Sequence, residues 1–169
     1  MLQSTDFHLV VCAFPISVHL SKKIFLRFMA IRFYSDYEGF DLNNESMLKK
    51  WINAVVCNHG KKSGTITYLF CDDERIARDN VQFLNHDTYT DIITFDYVEG
   101  NLVSGDILIS LDRVGENAHQ FGCSFERELH RVVIHGVLHL LGFKDKTDAD
   151  AAQMRLKEEE SLKLLDAMR

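Results

Sequence analysis

A chain of 169 residues, 46% apolar and 26% charged, is long enough to close one hydrophobic core and has the composition of an ordinary globular domain. No apolar run reaches the roughly 18–20 residues of a membrane span, so a membrane partner is not expected. With 19 basic against 25 acidic residues the net charge is −6, which gives no support to a broad basic footprint for nucleic acid; a polyanionic partner has to meet a local positive patch or a metal ion.

Residues 1–28 differ from the rest. They hold the one proline, Pro15, and an apolar run, LVVCAFPISVHL, followed by Lys22, Lys23 and Arg27. A signal peptide places its positive charges before the apolar region, not after it. These residues are therefore expected to be an extension outside the fold, with Met29 a natural start and 29–169 a single domain. The four cysteines, Cys12, Cys57, Cys71 and Cys123, are scattered and form no CxxC pair. That pattern suits reduced thiols and a cytoplasmic location.

From residue 31 the chain alternates. IRFYS (31–35) reads as a strand. Residues 44–58 carry apolar residues at helical spacing, with Asn43 or Asn44 to cap the start and Gly60 just beyond the end. TITYLFC (65–71) is β-branched and aromatic, hence a strand, and 72–84 opens with acids and reads as a helix. Two further strands, 92–98 and 103–110, are joined by a short turn at Glu99-Gly100, as in a hairpin. A helix over 111–121 ends at Gly122, and Ser124 can cap the next, 125–141, which is apolar on most faces and so central. Asp148 is the expected cap of a last, acidic helix over 149–167. The order predicts an α/β (α+β) domain: a mixed sheet of about four strands packed by helices.

The chemistry concentrates in HGVLHLLGFKD (135–145). His135 and His139 are four apart, so their rings leave one helix face a turn apart and can converge on an ion at about 2.0–2.1 Å. Gly142 can end the helix with a positive φ and turn the chain back towards that face. Asp145 then completes H-x3-H-x2-G-x2-D. Two imidazoles and a carboxylate leave a fourth position open, the composition of a catalytic zinc site. The plainer reading is a chance pair among eight histidines, buried and hydrogen-bonded in the core. The HExxH peptidase signature is absent, because Gly136 stands at its glutamate.

HGVLHLLGFKD resembles the HGxLHLxGxDH segment of the YbeY family of bacterial metal-dependent endoribonucleases. Thr90-Asp91-Ile92-Ile93-Thr94-Phe95 is similar to that family's T-D-V-L-S-F strand. Asn80 falls on the Asn of its L-N-x-x-Y-R stretch, and Gly105-Asp106-Ile107 with Ile109 resembles its next strand. Order and spacing agree over about residues 30–167. The resemblance implies an α/β fold with one Zn2+ per chain. It also implies cleavage of single-stranded RNA, with roles in small-subunit rRNA 3′ end processing and ribosome quality control, alongside the ribosome or its proteins.

Three positions depart from the family pattern. Asp145 stands where relatives usually place a third histidine; aspartate also binds zinc, at the cost of a less acidic bound water. The family arginine four residues after the Asn falls on Leu84. Arg131, one turn before the first ligand, replaces a frequent histidine. Residues 131, 135 and 139 share a helix face, so Arg131 either holds a phosphate with its planar fork or pairs with a carboxylate of a neighbouring helix. Lys144 and Lys146 flank Asp145 and either face RNA or are merely solvated. His86, His119 and His130 read as structural or surface residues, and Thr90 and Asp91 as strand-end hydrogen-bonding groups or cleft lining.

On this reading the nucleophile is a metal-bound water, and no general base is identifiable. Two alternatives remain at this stage. One is a zinc hydrolase of another class, such as a peptidase, against which the missing HExxH glutamate argues. The other is a non-catalytic ribosome-assembly factor in which zinc ties down the loop after Gly142.

Overall fold

The computed structural model describes residues 30–84 and 90–169. The expected extension and His86 lie outside the described residues, as do the side chains of Asn80 and Leu84. The chain runs β1 (Ile31–Ser35), α1 (Glu45–Asn58), β2 (Lys62–Cys71), α2 (Asp73–Leu84), β3 (Ile92–Asp96) and β4 (Leu102–Ser110). Three helices close it: α3 (Leu111–Phe121), α4 (Phe125–Leu140) and α5 (Asp148–Ala167). No described helix is long and apolar enough to cross a membrane.

The four strands form one mixed sheet in the order β1-β2-β4-β3. β1, β2 and β4 are parallel, and β3 pairs with β4 as the antiparallel hairpin, Ile92 opposite Ile109 and Asp96 opposite Gly105. Side chains alternate across the pleat. Ile66, Tyr68, Phe70, Ile107 and Ile109 enter a large core with α1, α4 and α5, whereas Cys71, Ile93 and Leu108 meet Ile76 of α2 on the other face.

α4 is central because its C-terminal half is apolar on most faces. Leu129, Val132, Val133, Ile134, Val137, Leu138 and Leu140 are all buried, and each such side chain contributes about 1.5–3 kcal/mol on leaving water. Gly136 sets how close the helix comes to the sheet. A Cβ there would lie 2.9 Å from Ile107 Cγ2 and 3.0 Å from Ile92 Cδ1. Two long-range bonds fix the packing: Tyr68 Oη donates to the Val133 carbonyl at 3.2 Å, and Trp51 Nε1 donates to the Ser161 carbonyl at 2.7 Å.

Several boundaries differ from the sequence-based expectation. β2 begins three residues earlier, at Lys62, because pairing with Leu102 and Val103 of β4 recruits polar residues no propensity would choose. β3 stops at Asp96, whose Oδ1 accepts from the Val98 N–H at 2.7 Å and diverts the backbone. Asn44 occupies the N-cap of α1 at φ 60° and makes no side-chain capping bond. Thr147, not Asp148, caps α5: its Oγ1 accepts from the Asp150 N–H at 3.1 Å, leaving Asp148 as the first helical residue. Ser124 caps α4 as expected, accepting from the Arg127 N–H at 3.2 Å. Cys57, Cys71 and Cys123 are free thiols.

Candidate metal centre

The C-terminal turn of α4 builds the site. Gly142, at φ 98°, donates to the His139 carbonyl, and Phe143 N–H reaches back to Leu138, the two bonds that close a helix through a left-handed residue. This turn reverses the chain and lays Asp145 against the helix face it has just left. The Nε2 atoms of His135 and His139 are 2.9 Å apart, and Asp145 Oδ2 lies 3.5 Å from each. The edge of a tetrahedral zinc site with ~2.0–2.1 Å bonds is roughly 3.3 Å. Among the described residues these three form a cluster with metal-ligand spacing.

Proton bookkeeping within the cluster is more telling than the distances. His135 Nδ1 lies 2.6 Å from the Glu158 carboxylate, and His139 Nδ1 lies 3.0 Å from the Phe143 carbonyl. Neither partner is a donor when Glu158 is ionised, so each Nδ1 carries a proton and Nε2 is the nitrogen left to bind an ion. Two ring nitrogens 2.9 Å apart need either a shared proton or a metal cation between them. The Asp145 carboxylate adds a third electron pair. The donor set fits a divalent metal ion.

The ionisation of the site points the same way. Burial holds the His139 imidazole below its ordinary pKa, neighbouring His135 lowers it further, and the Phe143 carbonyl opposes both only in part. A neutral imidazole is the ligating form.

Behind His135 lies a network of buried charge. Glu158 and Glu128 are 5% and 2% exposed. Arg131 joins them: its Nε and Nη2 donate to Glu128 at 2.9 and 2.7 Å, and its Nη1 donates to Glu158 at 3.1 Å. Asp91, at the foot of β3, lies 3.6 Å from Arg131 and accepts from Asn117 Nδ2 at 3.3 Å. Burial alone would lower the guanidinium pKa, but the bond to Glu128 and the charges of Glu158, Glu128 and Asp91 outweigh it, and the net shift is upward. Arg131 is thus ion-paired both within α4, through two bonds to Glu128, and across to α5, through Glu158.

A cavity of about 560 Å³ adjoins the site, with His135, Asp145, Arg131, Glu158, Phe121 and Arg155 in its lining. Lys144 and Lys146 are exposed on the Asp145 loop. Thr90 Oγ1 bonds the backbone of Ile92, the strand-end role expected of it, while Asp91 reaches α4 through Arg131. His130 is buried and meets the Trp51 ring edge-on at 6.1 Å, and His119 is exposed on α3.

Glu158 is the residue that reading the sequence missed. The signal was present: along α5 the buried positions are Met154, Glu158, Ser161, Leu162 and Leu165, so a carboxylate occupies a core position of an amphipathic stripe. A charged residue there requires a buried partner.

The family model "Endoribonuclease YbeY" matches residues 32–166. An "Endoribonuclease YbeY" of Flavobacterium johnsoniae is 54% identical over 123 residues, 73% of this chain and 88% of the relative. That of Porphyromonas gingivalis is 52% identical over 135 residues, covering 80% of this chain and 89% of the relative. Among solved structures, the solution structure of TM1509 from Thermotoga maritima superposes with a TM-score of 0.57 at 27% identity, covering 80% of this chain and 89% of that one. The match spans β1 to α5, with His135, His139 and Asp145 inside it, and the chain belongs to the Endoribonuclease YbeY family.

Proposed function

We propose that this chain is a metal-dependent endoribonuclease that cleaves single-stranded RNA in ribosomal RNA maturation. The observation that carries the reading is the convergence of His135 Nε2, His139 Nε2 and Asp145 Oδ2 within 3.5 Å of one another. Zinc is the proposed ion, since two imidazoles and one carboxylate with an open fourth position are its catalytic donor set. Bound there, the ion supplies the acidity that makes water nucleophilic near neutral pH and withdraws charge from a phosphoryl oxygen.

The chain's own groups prepare that chemistry. Glu158 keeps the proton of His135 on Nδ1, and the Phe143 carbonyl does the same for His139. Arg131 holds Glu158 in place and balances its charge. In this assignment Arg131 positions a ligand and does not grip phosphate. His135 and Asp145 line the cavity and Asp145 is 41% exposed, so the cluster is open to it, as substrate access requires and a closed structural site does not.

The small-subunit rRNA 3′ end as substrate, ribosome quality control, ribosomal partners and a cytoplasmic location belong to the same proposal and rest on family membership. The peptidase reading loses ground at Gly136, which is packed against Ile107 and Ile92 and leaves no room for a glutamate base. The direct test is cleavage of a short single-stranded RNA and of its duplex by the purified chain. Cleavage of the single strand, abolished by chelator and restored by zinc, is the expected result; cleavage indifferent to chelator contradicts the proposal.

A further inference from the structure

The cavity has lining residues other than His135, Asp145 and the Arg131–Glu158 pair behind them. Phe121, the last residue of α3, lines it and is 60% exposed. Buried Met154 and Leu162 of α5 line it as well. Arg155 lines it too and is exposed, with no hydrogen-bond or ion-pair partner among the described residues. An aromatic face, apolar neighbours and an unpaired guanidinium thus share one space with His135 and Asp145.

We infer that this part of the cavity is a nucleotide subsite for the RNA strand being cut: Phe121 stacks a base next to the scissile phosphate, and Arg155 takes a neighbouring backbone phosphate. The inference rests on the endoribonuclease reading and adds where the strand lies. An exposed aromatic ring binds bases of any identity through their π faces. Guanidinium forks suit phosphate oxygens, and Arg155 is free where Arg131 is not. The charge balance agrees. The cavity lining holds two arginines against Asp145, Glu158 and Glu159, so a divalent ion turns a net negative pocket into a net positive one. That is how an acidic protein presents a local site for a polyanion.

The arrangement also gives a physical reason for preferring single strands. A base paired and stacked within a duplex has no free face to lay on Phe121. An unpaired base does.

Steady-state cleavage of a short single-stranded oligoadenylate by the zinc-loaded full chain tests the assignment. Phe121→Ala is expected to raise KM roughly 5- to 100-fold with kcat within about twofold of wild type, the pattern of lost ground-state binding. Phe121→Trp should stay near wild type and Phe121→Leu should resemble the alanine variant, separating stacking from mere apolarity. Arg155→Ala should raise KM and flatten its salt dependence. An unchanged KM in Phe121→Ala, or a wild-type KM in Phe121→Leu, overturns the subsite. Fluorescence anisotropy with the same oligonucleotide keeps the two claims apart. A wild-type chain that binds but does not cut, with weaker binding in Phe121→Ala, sinks the nuclease reading alone. Equal binding by both proteins sinks the subsite, and no binding by wild type sinks both.

Discussion

Glu158 Oε1 lies 2.6 Å from His135 Nδ1, a carboxylate of α5 aimed at the back of a candidate metal ligand on α4. The two residues are 23 apart in sequence, and the contact leaves Nε2 of His135 to face His139 and Asp145. It brings α5 to the candidate site.

Glu158→Ala and Glu158→Gln should therefore separate. Alanine removes the acceptor for His135 Nδ1–H and should weaken zinc binding by about 10- to 100-fold in chelator competition. Glutamine keeps an oxygen acceptor of the same length and should retain more of that affinity. Equal zinc affinity in all three proteins would show that the contact does nothing for the metal.

Arg131→Ala distinguishes the two readings of that residue. As the counter-ion of two buried carboxylates, its loss should cost about 3–5 kcal/mol of stability, seen in denaturant unfolding, and zinc affinity should fall with it. A phosphate clamp predicts the opposite pattern: intact stability and zinc content with slower cleavage.

Asp145→Ala should fold like the parent, since the side chain is 41% exposed and sits beyond the helix, yet should lose zinc affinity and cleavage together. Asp145→His should restore both, because imidazole is an equally good zinc ligand at that spacing. A variant whose fold depends on the metal would instead support a zinc ion that merely ties down the loop.

Gly136→Ala should be destabilised by about 1–3 kcal/mol, the cost of forcing a methyl into a packed core. Its new Cβ would sit 2.9–3.0 Å from branched side-chain atoms of Ile107 and Ile92. A lower unfolding midpoint with an unchanged denaturant slope is the expected signature.

The sequence carried the local half of this structure. His135, His139, Gly142 and Asp145 lie within eleven residues, so one helical face and one turn suffice to bring them together, and spacing alone locates them. The hairpin of β3 and β4 was legible for the same reason. What escaped was long-range. Glu158 joins the site only because α5 packs back across α4, and the fate of Arg131 depended on which carboxylates came within reach. Strand ends and caps also slipped by a few residues: pairing partners extend β2 past its propensity, and Thr147 outcompetes Asp148 for the first free N–H groups of α5.

The central claim is that one divalent ion on His135, His139 and Asp145 is what cuts RNA. Titrating zinc into chelator-stripped protein, while following cleavage of a short single-stranded RNA, tests it most directly. Activity should rise in proportion to zinc and level off at one ion per chain, and His139→Ala should neither bind zinc tightly nor cut. Cleavage by the stripped chain, or by a His139→Ala protein free of zinc, would contradict the account.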